Sequence, residues 1–177
     1  MIRIDDADLQ TVLSSCTERD VPKGKMILRT GQIANQYFFI TAGGVRFFYN
    51  HNDQENTTWV MFKNEFFTEI SSLNPQKPSR FNIEAIEDTK LVVIDKKEMD
   101  YLYAHVSGWE EFGRKIWEAT SVRMIDQILN FQTLTAEERY LKFMSNPEFL
   151  QKVPVKQLAA VLGITPTALS RIRKNIR

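Results

Sequence analysis

The sequence contains few of the residues on which many functional classes depend. Its 177 residues include one cysteine and two histidines, and no apolar run approaches the roughly 18 residues that a membrane span needs. The single cysteine, Cys16, excludes an internal disulfide and an iron–sulfur cluster held by four cysteines of one chain. The N-terminus has no apolar segment of the kind that directs export. We therefore expect a cytoplasmic protein with no membrane partner.

The scarcity of catalytic side chains also argues against an enzyme. No P-loop, no metal-ligand cluster and no Ser/His/Asp arrangement is visible. A haem would need an axial ligand, and we expect both histidines, His51 and His105, at the surface. A redox role for Cys16 would need an activated thiolate or a second cysteine. We expect no enzyme activity, no metal and no cofactor.

The last part of the chain has the pattern of two short helices around a tight turn. Apolar residues recur with helical spacing over residues 155–162, and Gly163 supplies the left-handed residue that ends the first helix. Thr165 is a good N-cap, and Pro166 suits the first turn of a helix, where its missing N–H costs nothing. The spacing predicts a helix-turn-helix whose second helix begins at about residue 166.

The second of these helices has two unlike faces. Leu169 and Ile172 face inward. The outward residues are Thr167, Ala168, Ser170, Arg171 and Lys174. Residues 135–177 carry a net charge of +5 and the first 134 residues a net charge of −4, so the positive charge is concentrated beside this face. A small, polar and basic helix face is what the major groove of DNA requires, and we predict binding to double-stranded DNA.

The residues from about 21 to 95 have a different pattern, in which short runs of β-branched and aromatic residues are separated by turn signals. The predicted strands are 26–28, 37–40, 45–49, 57–62, 80–86 and 91–94. Strands at this spacing predict a small antiparallel barrel or sandwich. Before them, Asp5 or Asp6 is expected to cap a short helix, with Leu9, Val12 and Leu13 on its inner side.

A long helix is expected near the middle of the chain, with a shorter helix before it and another after it in the sequence. Residues 95–98 (Asp-Lys-Lys-Glu) and 135–138 (Thr-Ala-Glu-Glu) have the spacing of a capping box, which predicts a helix start at each. A helix over about 108–131 is apolar on more than one side, so it needs more than one partner. We interpret it as the joint between domains and as a dimer contact; the alternative is a core helix inside one globule.

These elements, in this order, resemble the Crp/Fnr family of bacterial transcription regulators. The motifs that carry the resemblance are Pro22-Lys-Gly24-Lys25 before Gly31, Tyr37-Phe-Phe-Ile40 before Gly43-Gly44-Val45, Phe66-Phe-Thr-Glu69, Pro78-Ser79 before Ile83-Glu-Ala85, and Leu169-Ser-Arg171. The resemblance implies an α+β fold: a β-roll sensor domain over 1–107, a connecting and dimerisation helix over 108–133, and a DNA-binding domain over 134–177. It also implies a homodimer on a palindromic operator, whose β-roll senses a small molecule or a partner.

The resemblance also points to an effector pocket with a changed pattern. Where members that bind cyclic AMP have Phe-Gly-Glu, this chain has Phe67-Thr68-Glu69, and Ser79 stands where their phosphate-binding arginine is expected. Arg80 follows one position later, and on a strand such an offset turns a side chain to the opposite face. We therefore expect no cyclic AMP binding. The alternatives are a cyclic-nucleotide-responsive regulator that recruits Arg80 through an altered register, and a pocket retained only as a packing core.

For DNA, the resemblance places the base-reading positions at Pro166, Thr167 and Arg171. Pro166 departs from the polar or basic residue that is frequent there, so Arg171 is the best candidate for a bidentate contact to guanine; the alternative for it is a surface salt bridge. The residues expected at bases or phosphates are Lys156, Gln157, Thr165, Ser170 and Lys174, with Arg173 and Arg177 adding unspecific attraction. The sequence leaves little room for a wing hairpin, so DNA contact should depend on this helix. No motif identifies a surface for RNA polymerase.

Overall fold

The computed structural model describes residues 5–52, 54–144 and 147–176. The elements, in chain order, are α1 (Asp6–Ser14), β1 (Thr17–Val21), β2 (Met26–Leu28), β3 (Gln36–Ala42), β4 (Gly44–His51), β5 (Gln54–Phe62), β6 (Phe66–Phe67), α2 (Ile70–Leu73), β7 (Asn82–Ala85), β8 (Thr89–Asp95), α3 (Lys96–His105), α4 (Trp109–Thr133), α5 (Ala136–Met144), α6 (Pro147–Lys152), α7 (Val155–Val161) and α8 (Pro166–Ile176). The strands form two antiparallel sheets, in the orders β1-β8-β3-β6 and β2-β7-β4-β5. The predicted α+β fold is confirmed.

The core of the β-roll lies between the two sheets. Inward side chains of β3, β4, β7 and β8 form one buried cluster, because alternate residues of a strand point to the same face. Phe38 stacks on Phe67 with ring centres 4.9 Å apart, and Phe47 meets Phe67 edge-on at 5.8 Å. The aromatic residues that made this region recognisable as strands therefore also fill its interior.

Two strands and part of one helix differ from the sequence predictions. Strands β1 and β6 were not predicted, because β1 buries only Val21 and β6 has two residues, so neither shows alternation. Each forms only because a neighbouring strand, β8 or β3, pairs with it. In α1, Val12 is buried as predicted, but Leu9 and Leu13 are 44% and 56% exposed. The inner side predicted for these two leucines was wrong, since α1 packs through Val12 alone.

The two predicted capping boxes have different outcomes. At α5 the box is confirmed: the Thr135 N–H donates to Glu138 Oε2 (2.8 Å), and the Glu138 N–H donates to Thr135 Oγ1 (3.3 Å). At α3, Asp95 is the N-cap residue, but its side chain makes no capping hydrogen bond. Its Oδ1 instead accepts from Gln36 Nε2 (2.8 Å), because Gln36 is its cross-strand partner. The prediction of a box at Asp95 was therefore wrong.

The long helix α4 packs through its first half and is exposed along its second. Trp109 is buried with Met99 and Leu102 of α3, and Phe112 and Trp117 pack against the same cluster. Farther along, four apolar side chains are between 49% and 57% exposed. They are Val122, Ile125, Ile128 and Leu129, called here the exposed stripe. The second half of α4 thus has two sides: Gln127 and Phe131 contact Trp59 and Arg139, whereas the exposed stripe has no cover among the described residues.

The C-terminal helices share a hydrophobic cluster with the β-roll. Phe62 and Ile86 of the β-roll are buried in one cluster with Phe149, Leu158 and other apolar residues of α5–α8. Phe62 and Phe149 meet edge-on at 5.9 Å. At the rim of this contact, Lys152 Nζ pairs with Glu87 Oε1 at 2.8 Å. The helix-turn-helix therefore lies against β5 and does not extend away from it.

Gly43→Ala is expected to destabilise the fold more than Gly31→Ala. Both glycines have φ near +90° (+85° and +89°), so each alanine carries similar backbone strain, of about 1–2 kcal/mol. A Cβ at Gly43 would also lie 2.5 Å from the backbone oxygen of Asp88, whereas one at Gly31 has no atom within 4 Å. Urea unfolding of the two variants isolates the steric cost. Equal losses of unfolding free energy would contradict this packing of the Gly43 turn.

Candidate functional site

Helices α7 and α8 form the predicted helix-turn-helix. Gly163 ends α7 with φ +71°, and the Ile164 N–H donates to Ala159 O (2.9 Å) across the turn. Leu158, Leu162 and Leu169 are fully buried. These three leucines belong to one buried cluster with Phe62 of β5, and α7 packs against both α8 and β5.

The start of α8 is built as its sequence predicts. Thr165 Oγ1 accepts from the Ala168 N–H (3.2 Å), and Thr165 O accepts from the Leu169 N–H (3.0 Å). Pro166 is the first residue of the helix, where no backbone donor is lost. The capping oxygen orients the first turn, which carries Thr167 outward.

The outward face of α8 is exposed and largely unoccupied. Thr167, Ser170, Arg171 and Lys174 are all exposed, and Ser170 Oγ donates to Pro166 O (3.0 Å). Within residues 5–52, 54–144 and 147–176, Arg171 and Lys174 form no ion pair and no side-chain hydrogen bond. The surface salt bridge considered for Arg171 thus has no acidic partner in the part of the chain that the structure describes.

Three other predicted contact residues differ in their surroundings. Lys156 is exposed on α7, whereas Gln157 is half-buried and its Oε1 has no partner among the described residues. Arg173 packs over the Tyr140 ring, and its Nε donates to Tyr140 Oη (3.2 Å), so Tyr140 holds it against the protein. Arg177 lies outside the described residues. Lys156 is therefore the clearest cationic candidate beside α8.

A cavity of about 520 Å³ lies between the β-roll and α4. Its walls are mainly apolar, and about a third of the lining residues are aromatic. The aromatic lining residues are Phe47, Trp59, Phe66, Phe67, Phe81 and Trp117. This volume falls within the range of pockets that bind small molecules. We call it the sensor cavity.

Glu69 is the buried polar group of the sensor cavity. It is only 4% exposed and caps α2, its Oε1 accepting from the Ser71 N–H (3.1 Å) and the Ser71 hydroxyl (2.6 Å). Its second oxygen, Oε2, has no hydrogen-bond partner among the described residues. Burying a carboxylate oxygen without a donor is costly, so this oxygen marks a place where a ligand donor would be stabilised.

Arg80 also lines the sensor cavity. The strand alternation on which its predicted direction rests does not apply, because β7 begins at Asn82 and Arg80 lies in a bend. Ser79 is buried instead: its hydroxyl donates to Phe81 O (2.9 Å) and accepts from the Phe81 N–H (3.0 Å), so it does not line the cavity. Thr68 lines the cavity, with its hydroxyl donating to Gln36 O (2.8 Å).

A second cavity, of about 260 Å³, adjoins the first. Trp59, Val60 and Gln127 line both cavities, and the Trp59 indole N–H donates to Gln127 Oε1 (3.0 Å). On its other side, Phe131 lies under Arg139, whose guanidinium is 4.7 Å from the ring centre. The same guanidinium donates to the carbonyls of Leu134 and Leu162, at 2.6 and 2.9 Å. Arg139 thereby ties the end of α4 to the turn of the helix-turn-helix.

Other reactive groups lie outside these sites. Burial raises the pKa of the Cys16 thiol, which lowers its thiolate fraction at neutral pH. Across the described ranges, no group of three His, Cys, Asp or Glu residues is arranged to hold a metal ion. In the same residues, no helix has both the length and the apolar character that crossing a bilayer requires.

Comparison with known proteins agrees with this architecture. Residues 18–105, close to half of the chain, match the family described as "Cyclic nucleotide-binding domain". The matched range contains nearly all of both sheets of the β-roll and α3, together with Glu69 and Arg80.

Relatives extend the comparison beyond the cyclic nucleotide-binding domain. The Cyclic AMP receptor protein of Thermus thermophilus is 31% identical over 96 residues, or 54% of this chain and 43% of that protein. The chain thus spans less than half the length of this curated relative. The solved structure of the c-di-GMP responsive regulator CLP of Xanthomonas campestris is similar over 97% of this chain and 91% of the CLP chain, with a TM-score of 0.70 and 17% identity. The structure of FixK2 of Bradyrhizobium japonicum is similar over 91% of this chain and 84% of the FixK2 chain, with a TM-score of 0.73 and 19% identity. The resemblance to the Crp/Fnr family is confirmed.

Proposed function

We propose that this chain is a dimeric, sequence-specific DNA-binding transcription regulator that acts in the cytoplasm and is not an enzyme. In this proposal α8 enters the major groove, and the sensor cavity binds an effector that is not cyclic AMP. Residues 1–107, 108–133 and 134–177 serve as the sensor, the connecting helix and the DNA-binding domain. RNA polymerase contact by an activator is compatible with this function, but no feature described above marks a surface for it.

The observation that carries the proposal is the outward face of α8. Thr167, Arg171 and Lys174 are exposed on a helix whose inner side packs through the buried Leu169. Neither Arg171 nor Lys174 has a hydrogen-bond or ion-pair partner among the described residues. A guanidinium held on a rigid helix can donate two parallel hydrogen bonds to guanine O6 and N7. Lys156 and the capped start of α8 at Thr165 are suited to phosphates on either side.

The exposed stripe supports the dimer. Four neighbouring apolar side chains on a 25-residue helix, each about half exposed, are unusual unless a partner covers them. A second copy of α4 would cover them by the packing of a left-handed coiled coil. Two α8 helices related by a two-fold axis would then read half-sites about 34 Å apart, which favours a palindromic operator.

Arg171→Ala and Lys174→Ala test the proposal on a duplex selected by the purified protein from a random pool. We expect Arg171→Ala to weaken binding to the selected duplex about 5- to 150-fold, the value of one bidentate base contact, with little change on random DNA. Lys174→Ala should weaken binding to both duplexes equally. It should also reduce the slope of the logarithm of the binding constant against the logarithm of salt concentration by about one. Lys25→Ala, which removes an exposed lysine of the β-roll, is the control.

Two outcomes would contradict this function. If repeated selection enriches no sequence, the protein does not read DNA sequence. If Arg171→Ala weakens binding to selected and random duplexes equally, Arg171 contacts phosphate only and the assignment of α8 as the base-reading helix fails. Quantitative gel shifts at two salt concentrations measure both.

A cyclic-nucleotide-responsive regulator is the second candidate function. One observation favours it: Arg80 and Glu69 both line the sensor cavity. Calorimetric titration with cyclic AMP and cyclic GMP, repeated with Arg80→Ala, tests it. If a cyclic nucleotide binds with micromolar affinity and this binding is lost in Arg80→Ala, the effector is a cyclic nucleotide. The proposal that α8 binds DNA would not change.

A further inference from the structure

We propose that the effector of the sensor cavity is an aromatic carboxylate that also carries an N–H or O–H donor. This inference rests on the proposed function, since it names the ligand class of the same cavity. It follows from three properties of the lining: aromatic walls, one carboxylate oxygen without a donor, and one guanidinium without an acid.

The walls favour a flat aromatic body. The Trp59 ring meets Phe47 edge-on at 6.2 Å and lies 5.9 Å from Phe81 at a steep angle, so these rings form a bent aromatic surface. Trp117 of α4 also lines the cavity. Aromatic rings attract one another in edge-to-face and offset geometries, in addition to the area they bury. A planar ring that packs against Trp59 and Phe81 would therefore be stabilised by both.

Glu69 requires a donor from the ligand. Its Oε1 is already held by Ser71, while Oε2 is buried and unpaired in the described structure. A neutral N–H or O–H that reaches Oε2 forms a charge-assisted hydrogen bond, of about twice the strength of a neutral one. Such a donor also removes the penalty of the unpaired oxygen, so ligands with and without it should differ strongly in affinity.

Arg80 supplies the one cationic group that remains for an anion. The only other lining cation among the described residues, Arg123, is already paired with Glu65. Arg80 is exposed and forms no ion pair within the described ranges. A planar carboxylate matches the fork of a single guanidinium. Arg80 can therefore pair with one anionic group of the ligand.

A cyclic phosphate fits this lining less well than a carboxylate. It presents more acceptor oxygens, and the neighbouring donors are already used: Ser71 donates to Glu69, Ser79 to Phe81 O and Thr68 to Gln36 O. Phosphate oxygens beyond those that Arg80 reaches would lie unpaired among aromatic rings, which is costly. The same neighbourhood therefore favours the carboxylate.

Isothermal titration of the full chain with four probes tests the proposal without DNA. The probes are indole-3-acetate, 1-methylindole-3-acetate, tryptamine and cyclic AMP. Indole-3-acetate carries both the donor and the anion, its 1-methyl derivative lacks the donor, and tryptamine replaces the anion by a cation. We expect saturable binding of indole-3-acetate in the micromolar to low millimolar range. Methylation of the ring nitrogen should weaken it at least about tenfold, and tryptamine should bind no better than the methylated probe.

Two variants locate the binding. Glu69→Gln keeps the acceptor for Ser71 but replaces Oε2 by an amide donor, and it should reduce affinity for indole-3-acetate to that of the methylated probe. Arg80→Ala should lower the affinity for indole-3-acetate about tenfold or more and leave the affinity for tryptamine unchanged. Arg29→Ala, which removes an exposed arginine outside the cavity, is the matched control. If Glu69→Gln does not fold, the methylated probe and Arg80→Ala still decide the question.

Several results would overturn the ligand class. Equal affinity for the methylated and unmethylated probes would remove the role of Glu69, and tighter binding of tryptamine would reverse the sign of the ligand charge. Cyclic AMP binding more tightly than indole-3-acetate, or no binding of any probe, would also refute it. Each of these failures leaves DNA binding by α8 intact, because the titration contains no DNA, whereas failure of the duplex selection would not alter the calorimetry.

Discussion

Arg46→Ala is expected to lower the free energy of unfolding by about 3–5 kcal/mol, because it leaves a partly buried carboxylate without its partner. The Arg46 side chain is 7% exposed, and its guanidinium contacts Glu84 Oε2 at 2.6 Å and Glu55 Oε2 at 2.8 Å. It also lies 4.0 Å from the ring centre of Phe48. The loss therefore combines an ion pair, hydrogen bonds and packing across β4, β5 and β7. Urea unfolding measures it.

Two comparisons separate the buried charge from the lost packing. The double variant Arg46→Ala/Glu84→Gln should recover part of the loss, since no unpaired charge then remains near the sheet. Arg114→Ala removes an arginine whose pair with Glu118 is more than half exposed, and it should cost well under 1 kcal/mol. If Arg46→Ala costs no more than Arg114→Ala, the network does not stabilise the β-roll.

If the proposed dimer forms through the exposed stripe, Ile125→Glu is expected to convert it to a monomer and to weaken operator binding by at least about 100-fold. Ile125 is 56% exposed at the centre of the exposed stripe. In a dimer it would be covered by the partner helix, and a carboxylate there would be desolvated without a counter-charge. A monomer would also lose the second half-site, whose contribution multiplies that of the first. Analytical ultracentrifugation and gel shifts measure the two effects.

Ala119→Glu is the matched control for this helix. Ala119 is exposed on α4, six residues before Ile125 and so about 120° around the helix from it. The same new charge at that position should leave both the oligomeric state and DNA binding close to those of the parent. A monomeric parent chain, or an Ile125→Glu variant that remains dimeric, would show that the exposed stripe is not the subunit contact.

The helix-turn-helix was predictable because its signals are local. Gly163, Thr165 and Pro166 each fix the backbone within one turn, and the structure places each where these preferences require. The capping box at Thr135 is local in the same sense. At Asp95 the same sequence pattern failed, because a strand neighbour distant in sequence, Gln36, took the oxygen. Local rules hold where nothing farther along the chain competes for the same group.

The sensor cavity shows the opposite case. Glu69 could be singled out from its motif, but its unpaired oxygen is visible only once Ser71 and the aromatic walls are in place. The strand alternation assumed at Arg80 does not apply, because β7 begins at Asn82, and its extent could not be determined from Phe81-Asn-Ile-Glu-Ala alone. The wall supplied by α4 depends on how a helix far along the chain packs, which no short motif specifies.

Three residues that line both cavities restrict which substitutions the chain can accept: Trp59, Val60 and Gln127. They form the partition between the sensor cavity and the cavity beneath Phe131 and Phe149. A smaller residue at Trp59, which would enlarge the sensor cavity for a bulkier ligand, would also remove the hydrogen bond to Gln127 and open the space beside the helix-turn-helix. In the proposed regulator, a change of effector at these three residues would therefore also disturb the position of the helix-turn-helix.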